Sequence, residues 1–143
     1  MKKSAGVIIV LNKEKVLLGH PTNASWTNTY SFPKGGIEKD ESKIKAALRE
    51  LQEETSICID KDLICNKEEP IVVEYKDRKG EIYKKLYLFV AHISCISEIG
   101  LEEEVIPVDR LQIEEMDWAG FLTKEEAIGK IFHRVEHILD LVI

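Results

Sequence analysis

The chain has 143 residues, enough for one domain with a substantial core. Its 44% hydrophobic and 32% charged content is that of an ordinary globular protein. The net charge of −6 argues against bulk nucleic-acid binding through a basic surface, and no segment approaches the ~20 apolar residues of a membrane span.

The N-terminal MKKSAGVIIVLNKEK contains a short apolar run, Ala5 to Leu11, which ends at Asn12-Lys13 without a small-residue cleavage site. It reads as a first strand rather than a signal peptide, and the unbroken apolar stretch Val7 to Leu11 suits a strand buried on both faces. Asn12 to Lys15 reads as a turn and Val16 to Leu18 as a second short strand. Residues 19 to 36 form a loop carrying Trp26, Tyr30 and Phe32, and it ends in a glycine-rich turn, Pro33-Lys34-Gly35-Gly36.

Asp40 is placed to cap a helix running from about Glu41 to Thr55. Ile44, Ala47, Leu48 and Leu51 follow the spacing of one buried stripe. At about 100° per residue, Glu50, Glu53 and Glu54 fall within roughly 100° of arc on another face. Further on, Ile71 to Tyr75 and Tyr83 to Ile93 read as strands joined around Arg78-Lys79-Gly80, with Leu86 to Ile93 apolar enough for the centre of a sheet. The run Glu102-Glu103-Glu104 reads as a solvated charge cluster. Met116 to Phe121 reads as a last strand, Thr123 with Glu126 as a capping box, and Ile128 to Val142 as an amphipathic helix. With no repeat or linker, one α/β domain over 1–143 is predicted. Cys58, Cys65 and Cys95 are an odd set without metal-ligand spacing, as in reduced thiols of a cytoplasmic protein.

Acidic groups crowded on one helix repel each other, and a divalent cation removes that cost because hard cations take several carboxylate oxygens at once. Three carboxylates at i, i+3 and i+4 describe a solvated helix face equally well. The context is more specific. Gly35, five residues, Glu41, seven residues, Arg49-Glu50-Leu51, one residue, Glu53-Glu54, one residue and Ile57 form a long pattern of fixed spacing. Here the chain resembles the Nudix hydrolases, whose box reads G-x5-E-x7-R-E-U-x-E-E-x-G-U, with U a bulky aliphatic residue. Every defining position matches except Ser56, which stands where that family has glycine.

The resemblance implies an α/β/α sandwich with a mixed sheet between helices. It also implies a Mg²⁺-dependent pyrophosphohydrolase, with Mn²⁺ as an alternative metal, that cleaves a nucleoside diphosphate linked to another group. Carried over by position, Glu50, Glu53 and Glu54 with the Gly35 carbonyl are the metal ligands. Glu50 or Glu53 would also activate water, Arg49 would orient the glutamates, and Glu41 would support them or act as an outer ligand. Serine in the left-handed conformation common just past a helix costs about 1 kcal/mol, so Ser56 bears on how the helix ends. A glutamate that the family often supplies a few residues before a tryptophan is replaced here by Gln112, which leaves Glu114, Glu115 or the 102–104 cluster as substitutes.

The Pro33-Lys34-Gly35 turn and Lys84-Lys85 resemble features of dinucleoside polyphosphate hydrolases, which makes Lys34 and Lys84 candidate phosphate contacts. Tyr87 is a candidate substrate contact, and Trp26, Tyr30, Tyr83 and Phe132 are further stacking candidates. The expected partner is a small nucleotide, with no stable nucleic-acid complex and no membrane. A nucleoside triphosphate or nucleotide-sugar hydrolase is the alternative activity, and a catalytically silent nucleotide-binding module is the alternative class.

Overall fold

The computed structural model describes residues 1–143. A mixed sheet runs through the centre, built from β1 (Lys2–Leu11), β2 (Lys15–Pro21), β3 (Lys34–Gly36), β4 (Ile71–Lys76), β5 (Ile82–Ile93) and β6 (Met116–Thr123). The strand order is β4-β5-β1-β2-β6, with β3 on the same edge of β1 as β2. β1 and β5 run parallel over ten registered pairs, and the other pairings are antiparallel.

The continuous apolar run of β1 has a simple cause, since its alternate residues serve two cores. Ala5, Val7, Ile9 and Leu11 pack in a cluster with Ala46, Ala47 and Leu51 of α1 (Lys43–Thr55). Ile8 and Val10 pack in a second cluster with Ala127, Ile131, Val135, Ile138 and Leu139. These last residues belong to α2 (Lys124–Ala127), α3 (Ile138–Val142) and the segment between them. The α/β layering predicted from sequence is therefore present. No helix is long and apolar enough to cross a membrane.

Four local expectations need correction. First, Asp40 does not cap the helix: it takes a left-handed φ of 63°, and Ser42 caps α1 by accepting from the Lys45 amide. Eight residues along a helix span about 12 Å, so Glu41 reaches Arg49 only by leaving the helical path. Second, the turn 34–36 is strand β3, paired to Ser4–Gly6 rather than free as loop. Third, the terminal helix is interrupted. α2 ends at Ala127, Gly129 adopts φ 87°, and Ile131 bridges Tyr30 before the chain turns helical again at His133. The stripe Ile131, Val135, Ile138 and Leu139 is still buried, so the apolar periodicity was real although the helix is broken. Fourth, the strands β1, β2 and β6 extend beyond the apolar runs that mark them in the sequence.

β2 meets β1 only at Val10–Val16 and Leu11–Lys15, after which the two strands splay apart. Residues 31–36 fill the wedge, bridging Gly19 on one side and Ser4–Gly6 on the other. The pairing carries Gly35 and Lys34 to the glutamate face of α1.

Candidate active site

Arg49 is the hub of the motif. Its Nε and one terminal nitrogen donate to the two oxygens of Glu41 at 2.8 and 3.0 Å. The same terminal nitrogen donates to the Gly36 carbonyl at 2.9 Å, and the other reaches Glu50 at 2.9 Å and Glu53 at 3.2 Å. A planar guanidinium suits such a fork of acceptors where an ammonium would not. These bonds hold its pKa above the usual arginine range, with Glu41 as the largest cause. Glu41, bonded to Arg49, titrates below the usual carboxylate range. It ties the β3–α1 connection to the helix from outside the helical path.

The remaining glutamates differ sharply in environment. Glu53 has a half-exposed side chain at 49%. The Glu50 side chain is only 12% exposed, and burial pushes its pKa up against the opposing pull of Arg49. Glu54 is buried and accepts the Lys34 amide at 2.9 Å. Desolvation raises its pKa to about 8, with the charges of Glu50 and Glu115 adding to the shift. Gly35 lies directly against Glu50, and a Cβ there would stand 2.1–2.4 Å from the carboxylate atoms. The box glycine is thus required for close approach to the acid.

Glu54, Lys34 and Glu115 line one cavity of about 250 Å³, closed by Phe32, Ser31, Gly19 and Met116. Of the late-loop candidates, Glu115 alone is brought to the box glutamates. Glu104 pairs with Lys15 at the opposite end of β1, six strand residues or about 20 Å from the Gly35 level. Gln112 contacts the site through its backbone, donating to the Glu54 carbonyl at 3.1 Å. Sequence could name Glu115 only as one of several, because its placement depends on how the chain before β6 crosses the end of α1.

Lys34 lines the cavity, while Lys84 does not line it and is close enough to Lys34 to feel its charge. The Lys84 ammonium is held below the usual lysine pKa by burial, then by the charges of Lys34 and Lys2. It sits 4.9 Å over the Tyr75 ring, and the Arg134 guanidinium lies 5.3 Å from the same ring. Tyr87, by contrast, is buried in the cluster beneath α1 under Lys43 and is not brought to the cavity. Trp26 stacks on His20, which is bonded to Asp117 and to the Ala24 and Ser25 carbonyls. Tyr30 is buried, Phe132 packs on Tyr75, and Tyr83 is half exposed beside Tyr75. The three cysteines are free and exposed.

No three acidic, histidine or cysteine side chains converge into a ready-made metal cage. The donor chemistry nonetheless fits a hard divalent cation. Glu50 and Glu54 are desolvated carboxylates one helical turn apart, with the backbone of Gly35 pressed against the first and that of Lys34 bonded to the second.

A family model described as NUDIX domain matches residues 1–135. The chain belongs to the NUDIX family. Among curated relatives of this NUDIX chain, an RNA pyrophosphohydrolase of Pelagibacter ubique (strain HTCC1062) is 42% identical over 50 residues. That match covers 35% of this chain and 32% of the relative, so it spans about a third of the relative's length. Among solved structures, a MutT NUDIX hydrolase from Burkholderia pseudomallei superposes with TM-score 0.70 at 20% identity, covering 99% of this chain and 98% of that one. A C. elegans Ap4A hydrolase binary complex superposes with TM-score 0.66 at 21% identity, covering 98% and 93%. At such identities the structural likeness shows a shared fold. NUDIX hydrolases generally use divalent metals.

Proposed function

We propose that this NUDIX protein is a Mg²⁺- or Mn²⁺-dependent pyrophosphohydrolase that cleaves the diphosphate linkage of a nucleoside diphosphate joined to another group. One observation carries the reading. Two desolvated carboxylates, Glu50 and Glu54, are held on one helix face against the β3 backbone, beside a cavity that also receives Glu115 and Lys34. Burial opposes their ionisation, and of the two Arg49 answers only the charge of Glu50, so a bound cation beside Glu54 would stabilise the charged form. The activities of the relatives and structural neighbours (RNA pyrophosphohydrolase, Ap4A hydrolase, NUDIX hydrolase) support this class of chemistry.

Glu50, Glu54 and the Gly35 carbonyl would hold the metal, with Glu53 as the outer, exposed ligand. When bound, the cation neutralises charge on the diphosphate oxygens and favours ionisation of water. Arg49 fixes the orientation of Glu50 and Glu53 through the bonds described above. Glu115 accepts the proton of the attacking water at the cavity wall. Lys34 binds a phosphate oxygen as a point charge. Positioning and charge are the main requirements of phosphoryl transfer, so this division of labour is sufficient.

A phosphate-rich substrate such as a dinucleoside polyphosphate is favoured by the basic side of the site. The charges of Lys34 and Lys2 both act against the Lys84 ammonium, and the Arg134 guanidinium stands over the same tyrosine. In a chain of net charge −6, such a group is relieved by an anion.

The test is a panel of nucleoside triphosphates, nucleotide sugars, dinucleoside polyphosphates and 5′-triphosphate RNA with Mg²⁺, read by product identification. Cleavage within a phosphate chain, lost in Glu53→Gln with folding retained, is the expected result. Tight nucleotide binding without turnover on any member would establish the silent binding module instead.

A further inference from the structure

The one departure from the family box, Ser56, is also where the end of α1 is bonded to the chain that delivers Glu115. Ser56 takes a left-handed conformation, φ 62° and ψ 15°, just past the helix. Glycine adopts that conformation without steric penalty, so a serine there is strained unless its side chain contributes something. Its hydroxyl donates to the Arg110 carbonyl at 2.6 Å. The Arg110 guanidinium in turn donates to the Ser56 carbonyl at 3.2 Å and to the Gly100 carbonyl at 3.1 Å. The two residues are thus reciprocally bonded across 54 positions of sequence.

From this junction the route to the cavity is short and fully bonded. Two residues after Arg110, the Gln112 amide donates to the Glu54 carbonyl at 3.1 Å. The Gln112 carbonyl then accepts both the Glu115 and Met116 amides at 2.9 Å. On the far side, the Thr22 hydroxyl donates to the Ile113 carbonyl and its amide to the Glu115 carbonyl. The segment 110–116 is therefore anchored to the end of the glutamate helix at Arg110 and Gln112, and to the β2 loop at Ile113 and Glu115.

We infer that Ser56 is a positioning residue, whose hydroxyl together with Arg110 fastens the 110–115 segment to the C-terminal end of α1 and so sets Glu115 against Glu50 and Glu54. This rests on the reading of Glu115 as the proton acceptor. A glycine at position 56, the residue of the family pattern, would keep the backbone turn and the Arg110 bond to the position-56 carbonyl, and would lack the hydroxyl's half of the fastening. The chain accepts backbone strain where the family avoids it, and gains a side-chain bond to the segment that replaces the missing glutamate at Gln112.

Ser56→Gly separates the two effects, because it relieves strain while removing the bond. The thermal midpoint of Ser56→Gly is expected to equal or exceed that of the unmodified protein. Its kcat is expected to fall by about tenfold or more with KM within about twofold, since a small misplacement of a reacting group is costly while substrate binding is untouched. In a Glu115→Gln background, Ser56→Gly is expected to lower kcat no further. A Ser56→Gly protein with full kcat overturns the inference. So does a fall in kcat that recurs at the same factor without Glu115, because the hydroxyl would then act elsewhere. A Glu115→Gln variant with unchanged turnover fails one step earlier: it removes the proton acceptor and with it the fastening's purpose.

Discussion

Gly35 and Glu54 bring opposite constraints to one site. At Gly35 the missing Cβ is the function: a methyl group would meet the Glu50 carboxylate at 2.1–2.4 Å. Gly35→Ala is expected to lower turnover at least a hundredfold while stability changes by no more than about 1–3 kcal/mol, because displacement of one side chain relieves the overlap. Turnover and urea midpoints measured together check this, and a fully active alanine variant would mean that Glu50 can move without loss. At Glu54 the strain is electrostatic. Its folded pKa of about 8 lies above that of an exposed carboxylate, so the folded state binds the extra proton. The corresponding stability is fully present below the ordinary carboxylate pKa and is lost as pH rises through about 8. In chelator, the urea-unfolding free energy of the native protein is expected to fall relative to Glu54→Gln between pH 5 and 8, by at most about 1.4 kcal/mol per pH unit. A difference that stays flat over that range would show that Glu54 is already ionised.

Among the elements, α1 was the most legible and its first turn the least. The spacing of Ile44, Ala47, Leu48 and Leu51 defines the buried face, and all four pack against or within the core. Asp40 and Ser42 are both good caps, and local preference does not choose between them. The choice is made by Arg49, which holds Glu41 outside the helix from eight residues away. The same kind of tertiary override explains β3, too short and glycine-rich to read as a strand, and the break at Gly129, where Ile131 pairs with Tyr30. The box residues were legible because their spacing is carried within one helix and the turn before it. Glu115, the Ser56–Arg110 bonds and the cations around Tyr75 were not, since each joins residues distant in sequence. The Arg49 clasp is testable at this scale. A double-mutant cycle of Glu41→Gln and Arg49→Met is expected to show a coupling of about 1–2 kcal/mol in urea unfolding, as for a charge-assisted pair with several bonds. Additive effects would assign the start of α1 to Ser42 alone.

Over the whole molecule, the splay between β1 and β2 builds the site. The wedge segment 31–36 brings the Lys34 amide and Gly35 to α1, while β6 and the chain before it bring Glu115 and Met116 from the other side. A cation held by Glu50, Glu54 and the Gly35 carbonyl, as proposed, would join the helix to the wedge, two parts that the unfolded chain separates. Binding confined to the folded state adds RT ln(1 + [M]/Kd), about 2.7 kcal/mol at a hundred times Kd. For a chain of 143 residues this corresponds to a rise of roughly 5–15 °C in thermal midpoint. Mg²⁺ or Mn²⁺ titrated into chelator-treated protein without nucleotide is expected to raise the midpoint in that range, while Ca²⁺-free monovalent salt at equal ionic strength does not. Glu54→Gln should start from a higher midpoint in chelator at pH 8 and gain less from the metal, because the buried charge and the ligand are removed together. Equal metal-induced shifts in both proteins would place the cation away from Glu54, and no shift in either would leave the helix and wedge joined by the Lys34–Glu54 and Arg49–Gly36 bonds without a cation.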